Sequence, residues 1–468
     1  MKVVVLGTGY VGLVHAAVCS EYGHEVYAYD NDVTKLKAFA TGQTREIENH
    51  VNEPGLDSVI RETIDRYLYF STDLKAIIEG TDAVFMCLPT PPNLDGSTNL
   101  TFYNAAAGHL AALLAARKDK RRIVVVNKST VPIGTARHLE NILKSHGVEN
   151  AGVASNPEFL AEGTAVAQAR RPDRVVVGCD CEEDFNILRR VYSQFVNHVR
   201  IKYLETTPET AEAIKYVANT VLLTYISFWN GVGAKIGEKI PNVNINDLRI
   251  GVTSDERIST WGSFVSNGAG GSCFGKDIAS LINQLRKVNV STKMLEASYE
   301  VNEYQKVYLV DRAITEAGFK FNNKTVTVLG LAFKKHTNDM RDASSIKVIE
   351  SLLGRLSPVI VADMPFAGKA GGISRRLQSV RNREAILRKP TPHLLVVERI
   401  VHPDSLLIAP GQESGPGRRT DRGIGVEIRE LESSRREAIE VRRADVFGSG
   451  AAKVAIAQVV GHDENDVG

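Results

Sequence analysis

The sequence has little cysteine and no long apolar run. Its five cysteines are odd in number and scattered: Cys19, Cys87, Cys179, Cys181 and Cys273. No other Cys or His completes a zinc pattern around the C-x-C pair, so we expect reduced thiols, no metal site and a cytoplasmic location. No apolar stretch approaches the roughly 20 residues that span a bilayer, and residues 1–7 are too quickly glycine-rich to begin a signal peptide. A membrane partner is therefore not expected.

A surplus of charge of either sign is also lacking. The 57 basic and 55 acidic residues leave a formal net charge of +2, which gives no electrostatic reason to expect a nucleic-acid partner. With 43% hydrophobic residues the composition is that of an ordinary globular protein. A length of 468 residues is long for a single core and predicts two or three domains.

The first 200 residues alternate short apolar runs with amphipathic segments. This order is typical of an α/β fold with a doubly wound parallel sheet. Strands are expected at 2–6, 25–29, 83–88, 123–127, 152–154 and 174–177, with helical segments such as 11–22 and 104–116. A long helix is expected at about 208–238, followed by a second, smaller α/β unit with strand 324–329, helix 344–353 and strand 358–362.

A glycine-rich turn, Gly7-Thr8-Gly9-Tyr10-Val11-Gly12, follows the first strand and opens a helix. Gly7 permits a tight turn, Gly9 lets the backbone approach a pyrophosphate, and Gly12 allows close packing of helix on strand. Asp30 ends the next strand, where a carboxylate would bind the ribose hydroxyls and repel the extra phosphate of NADP. The pattern predicts a Rossmann-type NAD site; a glycine turn with a capping Asp is the alternative.

The composition changes after about Pro365. From Phe366 onward there are 14 Arg and 3 Lys, against 19 and 21 before it, and the aromatic residues are Phe366 and Phe447 alone. The stretch 411–425 has no periodicity for a packed element, whereas 394–397, 405–409 and 454–460 are apolar. We expect this tail to leave the second α/β unit incomplete. A shifted reading frame and a diverged extension would each explain its composition.

Further motifs follow in order along the chain. They are Glu53-Pro54-Gly55-Leu56, Leu88-Pro89-Thr90-Pro91, Lys128-Ser129-Thr130-Val131-Pro132-Ile133-Gly134-Thr135, Asn156-Pro157-Glu158-Phe159-Leu160-Ala161-Glu162-Gly163, Arg171-Pro172-Asp173-Arg174, the run Ala211 to Asn219, Gly270-Gly271-Ser272-Cys273-Phe274-Gly275-Lys276-Asp277, Gly330-Leu331-Ala332-Phe333-Lys334 and Asp339-Met340-Arg341. On these motifs the chain resembles the UDP-glucose/GDP-mannose dehydrogenase family over residues 1 to about 363. Within that family it is most similar to the members that oxidise UDP-glucose.

The resemblance implies four domains or segments. They are an NAD-binding domain (1–200), a central helical dimerisation domain (201–300), the start of a UDP-sugar-binding α/β domain (301–365) and the atypical tail (366–468). It also implies a four-electron oxidation of a UDP-sugar primary alcohol to the carboxylate with two NAD molecules in turn. The product, UDP-glucuronate, commonly serves polysaccharide synthesis.

The resemblance also assigns site residues. Cys273 would be the nucleophile that makes the aldehyde a hydride donor, because a thiolate can add to its carbonyl and form a thiohemiacetal and then a thioester. Lys276 or Lys215 could favour the thiolate by charge. Lys215 and Asn219 would hold the oxyanion, as expected for i, i+4 residues on one helix face. Asp277, Glu158 and Thr130 would activate or position the water and the alcohol.

Contacts to the ligands are carried over in the same way. For the cofactor they are Gly7, Gly9, Tyr10, Val11, Gly12, Asp30, Lys35, Pro89, Thr90, Thr130 and Glu162. For the UDP-sugar they are Glu158, Phe159, Leu160, Lys215, Asn219, Gly270, Lys334, Arg341 and Arg257, the last reaching from a neighbouring subunit of a homodimer or higher homo-oligomer.

Two alternatives and one departure stay open. A sister activity on UDP-N-acetylmannosamine or GDP-mannose shares most of these motifs. A non-catalytic NAD-binding dimer with a defective substrate domain is the second alternative. Gly275 stands where the family usually has proline, so the segment that carries Cys273 has more backbone freedom than is usual.

Overall fold

The computed structural model describes residues 1–322, 324–355, 357 and 359–362, together with four short segments at 386–388, 395–398, 405–408 and 428–431. The chain divides into two compact units. The first unit combines Met1–Thr220 with Lys276–Thr292, and the second combines Val221–Gly275 with Lys293–Gly468. The chain therefore changes unit three times.

An eight-stranded sheet with the order β3-β2-β1-β4-β5-β6-β7-β8 forms the centre of the first unit. Its strands are β1 Lys2–Leu6, β2 Glu25–Tyr29, β3 Leu68–Ser71, β4 Ala83–Met86, β5 Ile123–Asn127, β6 Ala151–Ser155, β7 Arg174–Gly178 and β8 Lys202–Thr206. The first six in this order pair in parallel, as do β7 and β8. A single antiparallel residue pair joins β6 to β7.

Helices connect these strands. They are α1 Tyr10–Glu21, α2 Val33–Ala40, α3 Thr44–Glu48, α4 Leu56–Thr63, α5 Leu74–Ile77, α6 Thr101–Ala116, α7 Thr135–Ser145, α8 Ala165–Arg170, α9 Glu182–Val191 and α10 Ser193–Val196. Helix α11 Pro208–Phe228 begins in the first unit and ends in the second, and the later helix α14 Phe274–Lys287 lies in the first unit from Lys276 onward.

Burial on both faces explains the strong apolar runs of the sheet. In β1, Val3 and Val5 belong to the hydrophobic core on one face, whereas Val4 and Leu6 belong to the core on the other. Successive side chains of a strand alternate between faces, so a strand covered on both sides must be apolar throughout. This arrangement leaves the carboxyl ends of the parallel strands to carry polar residues.

The second unit contains helices and a six-stranded sheet. Its elements after α11 are the π-helix Trp229–Gly233, α12 Ala234–Lys239, α13 Ile245–Thr253, α15 Lys293–Thr315, β9 Thr325–Leu329, α16 Ser344–Gly354, β10 Val359–Ala362, β11 Ile386–Arg388, β12 Leu395–Glu398, β13 Ser405–Ile408 and β14 Ile428–Leu431. The strand order is β11-β12-β10-β9-β13-β14, with β9 parallel to both neighbours. Val326, Val361 and Leu352 lie in the core that α15 and α16 form with β9 and β10.

The expected α/β class and doubly wound sheet are confirmed. The edge strands β3 and β8 were not expected, and the expected helix at 208–238 is divided by the π-helix. Strands β12 and β13 fall on two of the apolar runs of the tail. Phe366, Phe447 and the stretches 411–425 and 454–460 lie outside the described residues. The domain boundaries and the incompleteness of the second unit therefore stay predictions.

Candidate active site

The glycine turn after β1 has the geometry that the sequence predicts. Gly7 adopts φ +91°, and a Cβ there or at Gly12 would collide with backbone carbonyl oxygens. At Gly9, by contrast, no described atom lies within 4 Å of the position a Cβ would take. Gly7 and Gly12 are thus explained by packing, whereas Gly9 leaves open space beside the first turn of α1. That space and the N-terminal N–H groups of α1 fit a dinucleotide pyrophosphate.

Asp30 follows β2 and is fixed by donors from two elements. Its Oδ2 accepts hydrogen bonds from the Thr8 N–H and Oγ1, both at 2.8 Å, and from Lys35 Nζ at 2.7 Å. Burial alone would raise the pKa of Asp30, but the bonds from Lys35 and Thr8 lower it to about 2. The carboxylate is therefore ionised and oriented beside the glycine turn. Lys35, which was expected to contact the cofactor, forms an ion pair with Asp30 in this structure.

Tyr10, another expected cofactor residue, is hydrogen-bonded to Glu53, an acid that received no role in the sequence analysis. Its hydroxyl donates to Glu53, and Glu53 also accepts from the backbone N–H of Gly163 at 2.6 Å and of Val166 at 3.3 Å. Glu53 is buried, and burial raises its pKa. Only its place in the Glu53-Pro54-Gly55-Leu56 motif hinted at this. Two neighbours in sequence, Val11 after Tyr10 and Glu162 before Gly163, are half-buried.

The loops after β4 and β5 are joined to each other. Ser129 Oγ accepts from the Leu88 N–H at 2.7 Å, and Thr90 Oγ1 donates to the Thr130 carbonyl oxygen at 3.0 Å. Pro89, between them, is exposed. A small pocket lies beside these loops, lined by Asn127, Ser129, Thr130, Val131, Ser155, Pro157, Glu212 and Lys215. The structure thus brings Thr130 and Lys215 to one cavity.

Glu158 and Lys215 form a buried ion pair. Lys215 Nζ lies 3.1 Å from Glu158 Oε1, and the two side chains are only 5% and 8% exposed. The other oxygen of Glu158 accepts from the Leu160 N–H at 2.6 Å. Phe159 packs between cations, with Lys215 Nζ 5.4 Å and the Arg174 guanidinium 3.9 Å from its ring centroid. Phe159 and Leu160 are half-buried.

Asn219 lies one turn after Lys215 on α11, as predicted, and contacts a second carboxylate. Its Nδ2 donates to Asp277 Oδ2 at 2.6 Å, and Lys276 Nζ lies 2.7 Å from Asp277 Oδ1. Asp277 is 1% exposed. The first unit therefore holds two carboxylate–cation sets next to one helix face, Glu158–Lys215 and Asp277–Lys276. Both lysines considered as thiolate partners have carboxylate partners in this structure.

Glu212 is a further acid in the pocket that received no role from the sequence. It accepts from the backbone N–H groups of Gly134 and Ala136 at 2.6 and 2.9 Å and from Ser155 Oγ at 2.9 Å. Burial raises its pKa to about 7, against the effect of these three donors. Its carboxylate thereby ties α11 to the N-terminus of α7 and to β6.

Cys273 belongs to the second unit. It is exposed and directly precedes α14, where the partial positive charge of a helix N-terminus favours a thiolate. The preceding glycines pack closely: a Cβ at Gly270 would lie 2.8 Å from the Asp342 carbonyl oxygen. At Gly275 a Cβ would lie 3.2 Å from Asp342 Oδ2, which is a tight contact.

The basic residues expected to bind the nucleotide or to reach a second subunit are partly exposed. Arg341 is 51% exposed and bonds both oxygens of Asp339 at 2.9 Å. Lys334 is half-buried, with Nζ 5.5 Å from the ring centroid of Phe333. Arg257 is 84% exposed and paired with Asp255. Their expected roles stay predictions.

A strand, a glycine turn opening a helix, and a fixed acid after the next strand together define a Rossmann-type dinucleotide-binding site that suits NAD. Comparison with known proteins narrows that class. Family models for the UDP-glucose/GDP-mannose dehydrogenase family match in three parts: the NAD-binding domain at residues 1–196, the central domain at 209–304 and the UDP-binding domain at 327–389. The last match extends beyond residue 363, where the sequence resemblance became indistinct.

Individual relatives agree with these models. The chain is 36% identical over 369 residues to the UDP-glucose 6-dehydrogenase TuaD of Bacillus subtilis, covering 78% of this chain and 76% of the relative. It is 37% identical over 360 residues to the UDP-glucose 6-dehydrogenase of Pseudomonas aeruginosa, covering 75% and 76%. The solved structure of a UDP-glucose dehydrogenase from Pyrobaculum islandicum superposes with a TM-score of 0.71 at 34% identity, covering 77% of this chain and 81% of that one.

This chain therefore belongs to the UDP-glucose/GDP-mannose dehydrogenase family. It is an NAD-dependent oxidoreductase of nucleotide sugars, with a UDP-binding domain. Over the described ranges, no helix has the length and apolarity that crossing a bilayer requires.

Proposed function

We propose that the chain oxidises the primary alcohol of UDP-glucose to the carboxylate and so produces UDP-glucuronate. The observation that carries the proposal is Cys273, an exposed thiol directly before α14 in the family's glycine-rich motif. A dehydrogenase that stops at the aldehyde has no use for such a thiol. UDP-glucose is favoured over UDP-N-acetylmannosamine and GDP-mannose because relatives at 36–37% identity are named for it.

The oxidation needs two steps on one carbon. NAD, when bound at the glycine turn and Asp30, accepts two electrons and one carbon-bound hydrogen at each step. After the first step, the Cys273 thiolate adds to the aldehyde carbon; a C–S bond forms and the carbonyl oxygen becomes an oxyanion. Loss of the carbon-bound hydrogen converts this thiohemiacetal into a thioester. Water then cleaves the C–S bond, which gives the acid and restores the thiol.

The buried polar groups of the first unit suit the accompanying charge and proton movements. Lys215 and Asn219 carry N–H donors that can hold the oxyanion. Glu158 and Thr130 can position or deprotonate the substrate alcohol and the attacking water, and Asp277 can assist with that water. The supporting observations are the Glu158–Lys215 and Asn219–Asp277 contacts.

The remaining expected contacts form part of the same proposal. Lys334 and Arg341 would bind the diphosphate, where Arg can form bidentate bonds. Phe159, Leu160, Glu162 and Gly270 would line the sugar site. Tyr10, Val11, Lys35, Pro89, Thr90 and Glu162 would surround NAD, with Tyr10 held in place by Glu53.

We further propose a homodimer that works in the cytoplasm. Helix α11 exposes Val217, Val221 and Phe228 at 50%, 59% and 51%, an apolar stripe that a second subunit would cover. Arg257, exposed and held by Asp255, is the residue proposed to reach the partner's sugar site. The cytoplasmic location is supported by the cysteines, which all lie among the described residues and form no disulfide.

Counting NADH tests the function. With a panel of UDP-glucose, UDP-N-acetylmannosamine and GDP-mannose, we expect UDP-glucose to be preferred and to yield two NADH per sugar. Cys273→Ser should bind NAD normally but produce little carboxylate, because serine is a poorer nucleophile and its ester clears slowly. Cys181→Ser, the same change at a cysteine outside the motif, is the control. Full-rate carboxylate production by Cys273→Ser would refute the covalent role.

A further inference from the structure

Helix α15 buries a polar face. Asn302, Gln305 and Lys306 stand at i, i+3 and i+4 and are only 1%, 3% and 1% exposed. A helix face turned into a protein is ordinarily apolar, because every buried polar group has to find a hydrogen-bond partner. What this face contacts therefore indicates what it does.

The partner is the backbone of residues 266–271, the segment that leads to Cys273. Asn302 binds Ala269 twice: Oδ1 accepts from its N–H at 2.7 Å and Nδ2 donates to its carbonyl oxygen at 3.0 Å. Gln305 Nε2 donates to the Ser266 carbonyl oxygen at 2.7 Å. Gly268, at φ +79°, lies so close to the helix that a Cβ would be 2.8 Å from the Asn302 carbonyl oxygen and 3.3 Å from Lys306 Cγ.

Other elements of the second unit fasten the same segment. Asn230 of the π-helix accepts from the Ser266 N–H at 2.8 Å and donates to Ser266 Oγ at 3.1 Å. Ser344 Oγ donates to the carbonyl oxygen of residue 267 at 2.7 Å. The Gly271 N–H donates to the carbonyl oxygen of residue 341 at 3.0 Å. A stretch that is neither helix nor strand is thus fixed by side chains distant in sequence.

The buried cation of Lys306 is held by two carboxylates. Its Nζ lies 2.7 Å from both Glu303 and Asp342. The Asp342 carboxylate in turn lies 3.2 Å from the position of a Cβ at Gly275. Lys306 thus packs closely on Gly268 before Cys273, and its partner Asp342 packs closely on Gly275 after it.

We propose that the buried polar face of α15 is the positioning surface for the segment that carries Cys273. This role rests on the proposed function of the thiol. Asn302, Gln305 and Lys306 position the segment that carries Cys273 and do not contact the substrate. The alcohol-to-aldehyde step does not use sulfur, whereas thioester formation requires the sulfur to meet the aldehyde carbon in a narrow geometry. Loosening the segment therefore affects the second oxidation selectively.

Asn302→Leu tests this proposal, because it removes both hydrogen bonds to Ala269. The side chain changes little in size. We expect acid formation to slow by about 100-fold, with KM for NAD within about twofold of the wild type. NADH per UDP-glucose should fall from two towards one, with aldehyde captured by added hydroxylamine. Gln305→Leu should act in the same direction, and Glu300→Leu, at an exposed position of α15, is the matched control.

Hydrogen exchange supplies a readout that does not depend on turnover. Backbone amides of 266–271 should exchange faster in both variants than in Glu300→Leu. The inference is overturned if both variants retain two NADH per sugar at the normal rate, or if both oxidations slow equally. These outcomes differ from failure of the proposed function, which is judged by Cys273→Ser alone.

Discussion

At the scale of single residues, Asp30 is the group whose chemistry is most constrained. Three donors from Thr8 and Lys35 hold one of its oxygens, and the lowered pKa keeps the carboxylate ionised until the pH falls towards 2. An anion fixed beside the glycine turn repels a ribose that carries a 2′-phosphate. The charge that favours NAD is therefore present at every pH at which the protein works.

We expect the wild type to prefer NAD over NADP at every pH at which it works. In Asp30→Asn the repelling charge is gone, so the ratio of kcat/KM for NAD to kcat/KM for NADP should fall about 10- to 100-fold. Steady-state rates with both cofactors provide the measurement. Asp32→Asn is the matched control, since Asn caps a helix as well as Asp and Asp32 caps α2. Equal use of both cofactors by the wild type would contradict the assignment.

The sequence could predict some residues of the candidate site and not others. Gly7, Gly12 and Asp30 belong to a pattern whose spacing reflects backbone geometry, and the structure places them accordingly. Glu53 and Glu212 were missed because their contacts join segments about 110 and 78 residues apart. Asn302 and Gln305 left a weak signal, polar residues spaced i, i+3, which is equally typical of a solvated helix face.

At the scale of elements, Glu212 connects three of them. It accepts from two N–H groups at the start of α7 and from Ser155 in β6, while lying on α11 one turn before Lys215. All three partners are donors, and above the pKa of about 7 the ionised carboxylate satisfies them with its two oxygens. A glutamine offers one acceptor and would turn its NH₂ group towards a donor.

We therefore expect Glu212→Gln to lower the free energy of unfolding by about 1–3 kcal/mol, since a buried donor loses its acceptor. It should also slow turnover, because the loop with Thr130 directly precedes α7. Urea unfolding and kcat measure the two effects, with Glu149→Gln at an exposed position as control. Wild-type stability in Glu212→Gln would show that losing one of these acceptors costs nothing.

Strands were predictable where burial is two-sided. The bounds of β1 and β5 agree with their valine-rich runs, because strands covered on both faces must be apolar throughout. β3 (LYFS) and β8 (KYLET) were missed because they are edge strands, short and only partly buried. The π-helix was also missed, since Gly231 and Gly233 weaken a helical stretch without specifying the π form.

At the scale of the whole molecule, the first unit is discontinuous in sequence. Residues 276–292 return to it after the chain has entered the second unit. They supply Asp277 to Asn219, Ser280 to Tyr216, and the buried side chains Ile278 and Leu281. A cut after Thr220 therefore removes residues that belong to this unit.

We expect a fragment of residues 1–220 joined by a flexible linker to 276–292 to be at least about 3 kcal/mol more stable than residues 1–220 alone, because it buries those apolar side chains. Denaturant titration of both fragments measures the difference. A linked fragment in which Ile278 and Leu281 are both replaced by Ser should lose most of the gain. Equal midpoints for all three would mean that the returning segment is dispensable.

Because the first unit is discontinuous, its last segment is translated only after residues 221–275 of the second unit. When Thr220 leaves the ribosome, the first unit still lacks α14, and 72 further residues must be made before residue 292 appears. At typical elongation rates of about 5–20 residues per second this takes roughly 4–14 s. Throughout that interval Asn219 and Tyr216 lack the partners that Asp277 and Ser280 later supply. The order of translation thus makes the NAD-binding unit the first to begin folding without allowing it to finish first.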